Sequence, residues 1–196
     1  MKHIISAEHL SIERVGEIIE KGYELELGDD ARQRIQRCRE YLDKKIAENK
    51  APIYGVTTGF GSLCNVSVGA EELEQLQVNL MMSHACGVGD RVPNEIVKIM
   101  LLLKIQSLSY GFSGCKLDTV ERLIDFFNND IYPIVYMQGS LGASGDLVPL
   151  AHLSLPLVGL GEVEFEGEVM TGAAVLEKKG WKPIHLASKE GLALLN

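Results

Sequence analysis

No C-x-x-C pair occurs in this sequence: Cys38, Cys64, Cys86 and Cys115 stand far apart. That spacing supports neither a zinc site nor a disulfide framework, so no metal is expected and a reducing cytoplasm is the expected setting. Basic charge is scarce as well. The chain carries 19 Lys and Arg against 27 Asp and Glu, a net charge of −8. With no basic stripe to neutralise phosphates, nucleic acid and anionic membrane surfaces are excluded as partners. Long apolar runs are missing: the longest, residues 147–160, is interrupted by His152, Pro149 and Pro156 and falls short of a membrane span. The opening Met1-Lys2-His3-Ile4-Ile5 is too short and polar for a secretory leader. Internal repeats, low-complexity tracts and clear linkers are absent too.

What is present is ordinary for a soluble globular protein: 196 residues, 46% hydrophobic and 23% charged, enough for one domain or two small ones. Ser11 is placed to cap a helix with apolar positions Val15, Ile18 and Ile19 that ends at Gly22. After Gly28-Asp29-Asp30 a stripe of Ala31, Ile35, Cys38, Leu42 and Ile46 keeps the helical period, with Arg and Lys on a solvated opposite face. Residues 52–56 read as a short β-prone segment running into a glycine loop at 57–61. A helix follows with Leu73, Leu76 and Leu80 on one face. Pro93 opens another, apolar almost all round from 96 to 108 and so expected to be buried. Residues 116–127 read as a further helix, residues 163–170 as a hairpin around Glu166-Gly167, and Ser188 as the cap of a last helix. The expected class is mainly α with small β elements.

The densest punctuation lies at Gly139-Ser140-Leu141-Gly142-Ala143-Ser144-Gly145-Asp146, directly before the apolar run. Glycines at this density open backbone conformations closed to other residues. Such a loop before a helix serves as a plain turn or as an anion site at the helix N-terminus. A serine-hydrolase elbow needs G-x-S-x-G, and here Gly145 and Asp146 follow Ser144 in place of that pattern's last two positions.

Gly142-Ala143-Ser144-Gly145-Asp146, with Pro149-Leu150 and His152 behind it, resembles the signature of the aromatic amino acid ammonia-lyases. The resemblance implies that Ala143-Ser144-Gly145 cyclises with loss of two waters into a methylidene-imidazolone electrophile (MIO), Ser144 supplying the methylidene. Tyr54, in Tyr-Gly-Val-Thr-Thr-Gly-Phe-Gly, reads on its own as a core aromatic with a satisfied hydroxyl. By resemblance to a second signature of that family it is the catalytic base. His84 reads on its own as a helix-end or core histidine. Ser83-His84 resembles the histidine-acting members, in which His84 would contact the substrate imidazole. Asn196, ending Lys-Glu-Gly-Leu-Ala-Leu-Leu-Asn, matches a third motif and would lie near the substrate carboxylate and the prosthetic group.

The expectation that follows is elimination of ammonia from L-histidine to give trans-urocanate. The runners-up are a lyase or 2,3-aminomutase on another aromatic amino acid and, for the chain as it stands, a non-catalytic assembly module. The implied architecture is the N-terminal part of the fumarase/aspartase-like helical-bundle lyase fold. Residues 1–110 would carry the Tyr and Ser-His motifs, and residues 111–196 the MIO loop and the start of the central helical domain. A small-molecule amino acid is the expected substrate, and a homotetramer the expected assembly. The chain ends on an apolar helical run without a C-cap, so it is expected to be a fragment, inactive by itself.

Overall fold

The computed structural model describes residues 1–49, 51–59, 69, 72–140, 145 and 147–196. Strands β1 (Lys2–Ile5) and β2 (Glu24–Leu27) pair in parallel, Lys2 opposite Glu24 and Ile5 opposite Leu27. Parallel pairing needs a crossover, supplied by α1 (Ile12–Glu20). Ser11 caps that helix as expected, its Oγ accepting the Arg14 amide at 3.2 Å. Gly28 precedes α2 (Asp29–Glu48) where a side chain has no room: a Cβ there would lie 2.9 Å from the Ile5 carbonyl oxygen. Ala31 and Ile35 are buried on α2 as their spacing predicts, but so is Arg39. That corrects the expectation of a wholly solvated basic face, because Arg39 Nη1 finds two backbone acceptors, Gly114 O at 2.8 Å and Ser188 O at 2.9 Å.

Residues 52–56 form no strand. The amides of Val56 and Thr57 both bond Ile53 O, at 3.0 and 2.9 Å, closing a turn with Gly55 at φ +67°. Helix α3 (Leu73–His84) follows, with Gln77 and Met81 fully buried and Leu73, Leu76 and Leu80 only half-buried. Next come β3 (Val88–Arg91), α4 (Asn94–Ser109) and α5 (Leu117–Asn128). Strands β4 (Tyr132–Pro133) and β5 (Tyr136–Gln138) then lead into the glycine loop. Antiparallel β3 and β5 pair with Val88 opposite Gln138.

The apolar run at 147–160 is helix α6 (Leu147–Ser154) continued by a 3-10 turn (Leu155–Val158). Pro156 bars the α-helical bond pattern, and Gly159 at φ +80° ends the segment. Strands β6 (Glu162–Phe165) and β7 (Glu168–Thr171) make the expected hairpin. Glu166 and Gly167, at φ +54° and +79°, form the kind of turn that matches strand twist. Helices α7 (Gly172–Lys179) and α8 (Glu190–Leu195) complete the chain. Buried apolar residues from Ile5 through Leu101, Phe126 and Leu157 to Leu194 form one core. The result is mainly helical with three small sheets among the described residues, and none of the described helices is long and apolar enough to cross a membrane.

Candidate functional site

The last turn of α3 presents His84. Its Nδ1 lies 2.8 Å from Leu80 O and 3.1 Å from Ser83 Oγ, and that hydroxyl also donates to Leu80 O at 2.9 Å. A carbonyl oxygen only accepts, so the bond to Leu80 assigns the proton to Nδ1. In the neutral imidazole Nε2 is then the bare nitrogen, an acceptor for an N–H from outside. After His84 the backbone leaves the helix through Ala85, whose amide bonds Met81 O at 3.0 Å, and reaches β3.

That turn rests on both flanks of the glycine loop. Gly139, at φ +133°, is so close that a Cβ there would sit 3.1 Å from Gly87 Cα and 3.0 Å from Val148 Cγ1. On the far flank, His152 Nε2 on α6 accepts the Gly87 amide at 3.0 Å. Ala143 and Ser144 lie outside the described residues. Gly145 lies inside them, at φ +93°, with no atom of the other described residues within 4 Å of where a Cβ would be. Its carbonyl accepts from Leu147 N at 3.1 Å and from Ser140 Oγ at 3.3 Å. A backbone in this left-handed region favours glycine. The residue type and conformation of Gly145 suit the third position of the Ala143-Ser144-Gly145 triplet.

Helix α8 packs against both α3 and α6. Gly191 N donates to Gln77 Oε1 at 3.1 Å, and a Cβ on Gly191 would lie 2.9 Å from Gln77 O, so the two helices touch through backbone. The sequence places a cap at Ser188; the helix begins otherwise. Lys189, at φ +71°, takes the N-cap position without a side-chain bond, and Ser188 Oγ donates to Val56 O instead. That bond ties α8 to the turn carrying Tyr54, which is 63% exposed. Glu190 is fully buried and accepts from Ala187 N at 2.6 Å, Lys116 N at 2.7 Å and Thr119 Oγ1 at 2.7 Å, fastening α8 to the start of α5.

At the end of α8, the exposed Asn196 has its backbone oxygen 2.8 Å from Lys104 Nζ of α4. Burial pulls the Lys104 amine down to about 8. Asn196 and Lys104 line an open groove of about 480 Å³ together with Tyr136, Met100, Pro149 and Leu150. A larger hollow of about 590 Å³ beside Arg34, Tyr41 and Phe112 holds none of the motif residues. Among the described residues, no cluster of three or more His, Cys, Asp and Glu could hold a metal.

The motif segments of His84, Gly145 and Asn196 therefore meet through α3, α6 and α8, and Tyr54 is attached through Ser188. Direct hydrogen bonds between the His84 and Asn196 side chains are absent. Sequence patterns gave no holding role to Arg39, Gln77, His152 or Glu190, although His152 and Glu190 stand within the quoted motif segments. For Arg39 the sequence signal is a polar side chain at a position the helical period assigns to the interior, four residues after Ile35.

The family model described as aromatic amino acid lyase matches residues 10–196. A curated relative named histidine ammonia-lyase, from Symbiobacterium thermophilum, is 46% identical over 196 residues. The match covers 100% of this chain and 38% of that relative, so the chain spans under two fifths of its length. Among solved structures, the ergothionase from Treponema denticola, titled an ergothioneine degrading enzyme, aligns at TM-score 0.93 and 31% identity, covering 100% of this chain and 39% of that one. The Pantoea agglomerans phenylalanine aminomutase aligns at 0.92 and 35%, covering 100% and 37%.

Proposed function

Because the chain belongs to the aromatic amino acid lyase family, we propose that it carries part of the machinery for eliminating ammonia from L-histidine to give trans-urocanate. In that reaction the Cα–N and Cβ–H bonds break, a Cα=Cβ double bond forms, and ammonia and a proton leave. An MIO group built from Ala143, Ser144 and Gly145 would supply an electrophile for the substrate's amino group. The observation carrying the substrate choice is the His84 ring: with Nδ1–H bound to Leu80 O, its Nε2 offers an acceptor to an imidazole N–H. A phenyl or phenol ring has no N–H for it, and leaving a polar group unpaired costs about 1–3 kcal/mol.

Tyr54, on its turn anchored to Ser188, is the base that takes the β-proton. A phenol does this when nearby donors hold its phenolate. Asn196 serves beside the substrate carboxylate. Ser83 supports the His84 ring through their 3.1 Å contact. A division into residues 1–110 and 111–196, a cytoplasmic setting and a homotetramer belong to the same reading. Ile96 and Leu103, about half exposed on α4, are apolar surface that assembly would cover.

The test is the absorbance of the unsaturated acid formed from each amino acid, urocanate from histidine, cinnamate from phenylalanine and coumarate from tyrosine, by the protein as its gene encodes it, wild type and His84→Leu. Histidine is expected to be preferred, with the preference eroded about 10- to 100-fold in the variant. Faster turnover of tyrosine than of histidine by wild type would refute the reading. The likeness to an aminomutase favours one alternative, in which the amino group returns to Cβ. Recovery of a β-amino acid instead of urocanate would establish it.

A further inference from the structure

His152 falls outside the motif residues given a role, yet it joins two of the segments that carry them. It sits on α6, which leaves the glycine loop, and its Nε2 accepts the amide of Gly87 in the turn that leaves His84. The two residues are 65 apart in sequence. The fit is close on every side. A Cβ at Gly87 would lie 3.0 Å from His152 Nε2 and 3.1 Å from Tyr136 Cβ. The Tyr136 ring meets the imidazole edge-on, centroids 5.1 Å apart and planes at 75°. A backbone N–H only donates, so Nε2 must be unprotonated for this bond to exist.

We propose that His152 is a positioning residue that sets the register of the His84 turn against the helix following Gly145, and holds it only while its imidazole is neutral. It rests on the roles assigned above to His84 and to residues 143–145. The consequence follows from geometry. If His84 grips the substrate ring while the other half of the site reacts with the amino group, the spacing between α3 and α6 decides whether the two engage one molecule together. Misplacement by about 1 Å is enough to cost on the order of a hundredfold in rate.

Protonation would turn Nε2 into a donor facing another donor and break the contact. Burial already holds the His152 imidazole below its ordinary range, favouring the neutral form. The titratable groups on the elements packed against α6 are Glu74 and His84 on α3, Glu190 on α8, Tyr132 on β4 and Tyr136 on β5. Glu74 pairs with His185 Nδ1 at 2.6 Å, and Glu190 is taken up by Lys116 and Thr119. Tyr132 donates to Asp130 at 2.8 Å.

The experiment compares wild type, His152→Gln and His152→Phe in the protein as its gene encodes it. The Gln amide oxygen reaches about where Nε2 sits and accepts at every pH; Phe keeps the ring shape and accepts nothing. Expected are a kcat about 10- to 100-fold lower in His152→Phe with KM changed less than about threefold, and recovery of most of that loss in His152→Gln. Wild-type kcat should fall as pH drops through the His152 pKa, and that limb should vanish in His152→Gln. Equal kcat in wild type and His152→Phe would overturn the proposal, as would folded Phe and Gln variants impaired alike. Should His152→Phe fail to fold, the Gln variant and its missing acid limb decide; an acid limb that persists in it overturns the proposal. Should wild type form no urocanate, the function proposed above fails separately. The Gly87 amide ¹⁵N shift then decides: tracking His152 protonation supports the inference, and indifference to it overturns it.

Discussion

The layer around β1 and β2 and the junction of α3, α6 and α8 are both buried, but by different means. In the first, Ile5, Ile18, Leu25, Leu27, Ile35, Leu101 and Phe126 fill the interior. Polar side chains work at its edge, as where exposed Asn128 pairs with the backbone of Leu25 at 2.7 and 2.9 Å. In the second, Gln77, Ser188, Glu190 and Arg39 are themselves buried, and each bonds backbone from a distant part of the chain. Apolar packing tolerates exchange among side chains of like volume. A buried hydrogen bond fixes one atom against another, and losing a partner strands the rest. The junction therefore has the stiffer geometry, which a site assembled from separate segments requires.

The largest effect should come from Glu190→Ala, which strands Ala187 N, Lys116 N and the Thr119 hydroxyl. Denaturant unfolding is expected to register a loss of about 3–5 kcal/mol, with activity lost as well. A change below about 1 kcal/mol would mean the junction is not held this way.

Lys104→Met should act in the opposite direction on stability. The Lys104 amine is buried and lowered to about 8 from an ordinary 10.5, so between those values the unfolded chain binds more protons. Stability from this group therefore rises as pH rises from about 8 to 10.5, and is least below 8. Removing the charge should stabilise the fold at pH 7 by roughly 1–3 kcal/mol while releasing the Asn196 carbonyl. Melting temperatures at pH 7 and pH 10 should show the gain shrinking at the higher pH. The smallest effect belongs to the apolar layer: Leu101→Met should cost less than about 1.5 kcal/mol and leave kcat unchanged. A large drop in kcat would erase the distinction between the two regions.

The same contrast decides what can be read from sequence. Ser11, the Ala31–Ile35 spacing, Pro93 and the Glu166-Gly167 turn act locally, so α1, α2, α4 and the β6–β7 hairpin were legible. The parallel pairing of β1 with β2 was not, because it joins two four-residue segments across α1. Ser188 was misread because its hydroxyl faces two uses, the local cap and Val56 O, and tertiary contact wins. Of the proposed site, Tyr54, His84 and Gly145 are suggested by motif resemblance. The holding roles of His152, Gln77 and Glu190 are not legible there, since the partners that reveal them lie far along the chain.

The most direct test of the account is the intact mass of the protein as its gene encodes it, beside that of Ser144→Ala. If residues 143–145 form the electrophile, wild type should weigh two water molecules less than its sequence requires. Ser144→Ala should show the full encoded mass and no urocanate. A protein that makes urocanate from histidine at its full encoded mass would contradict the account.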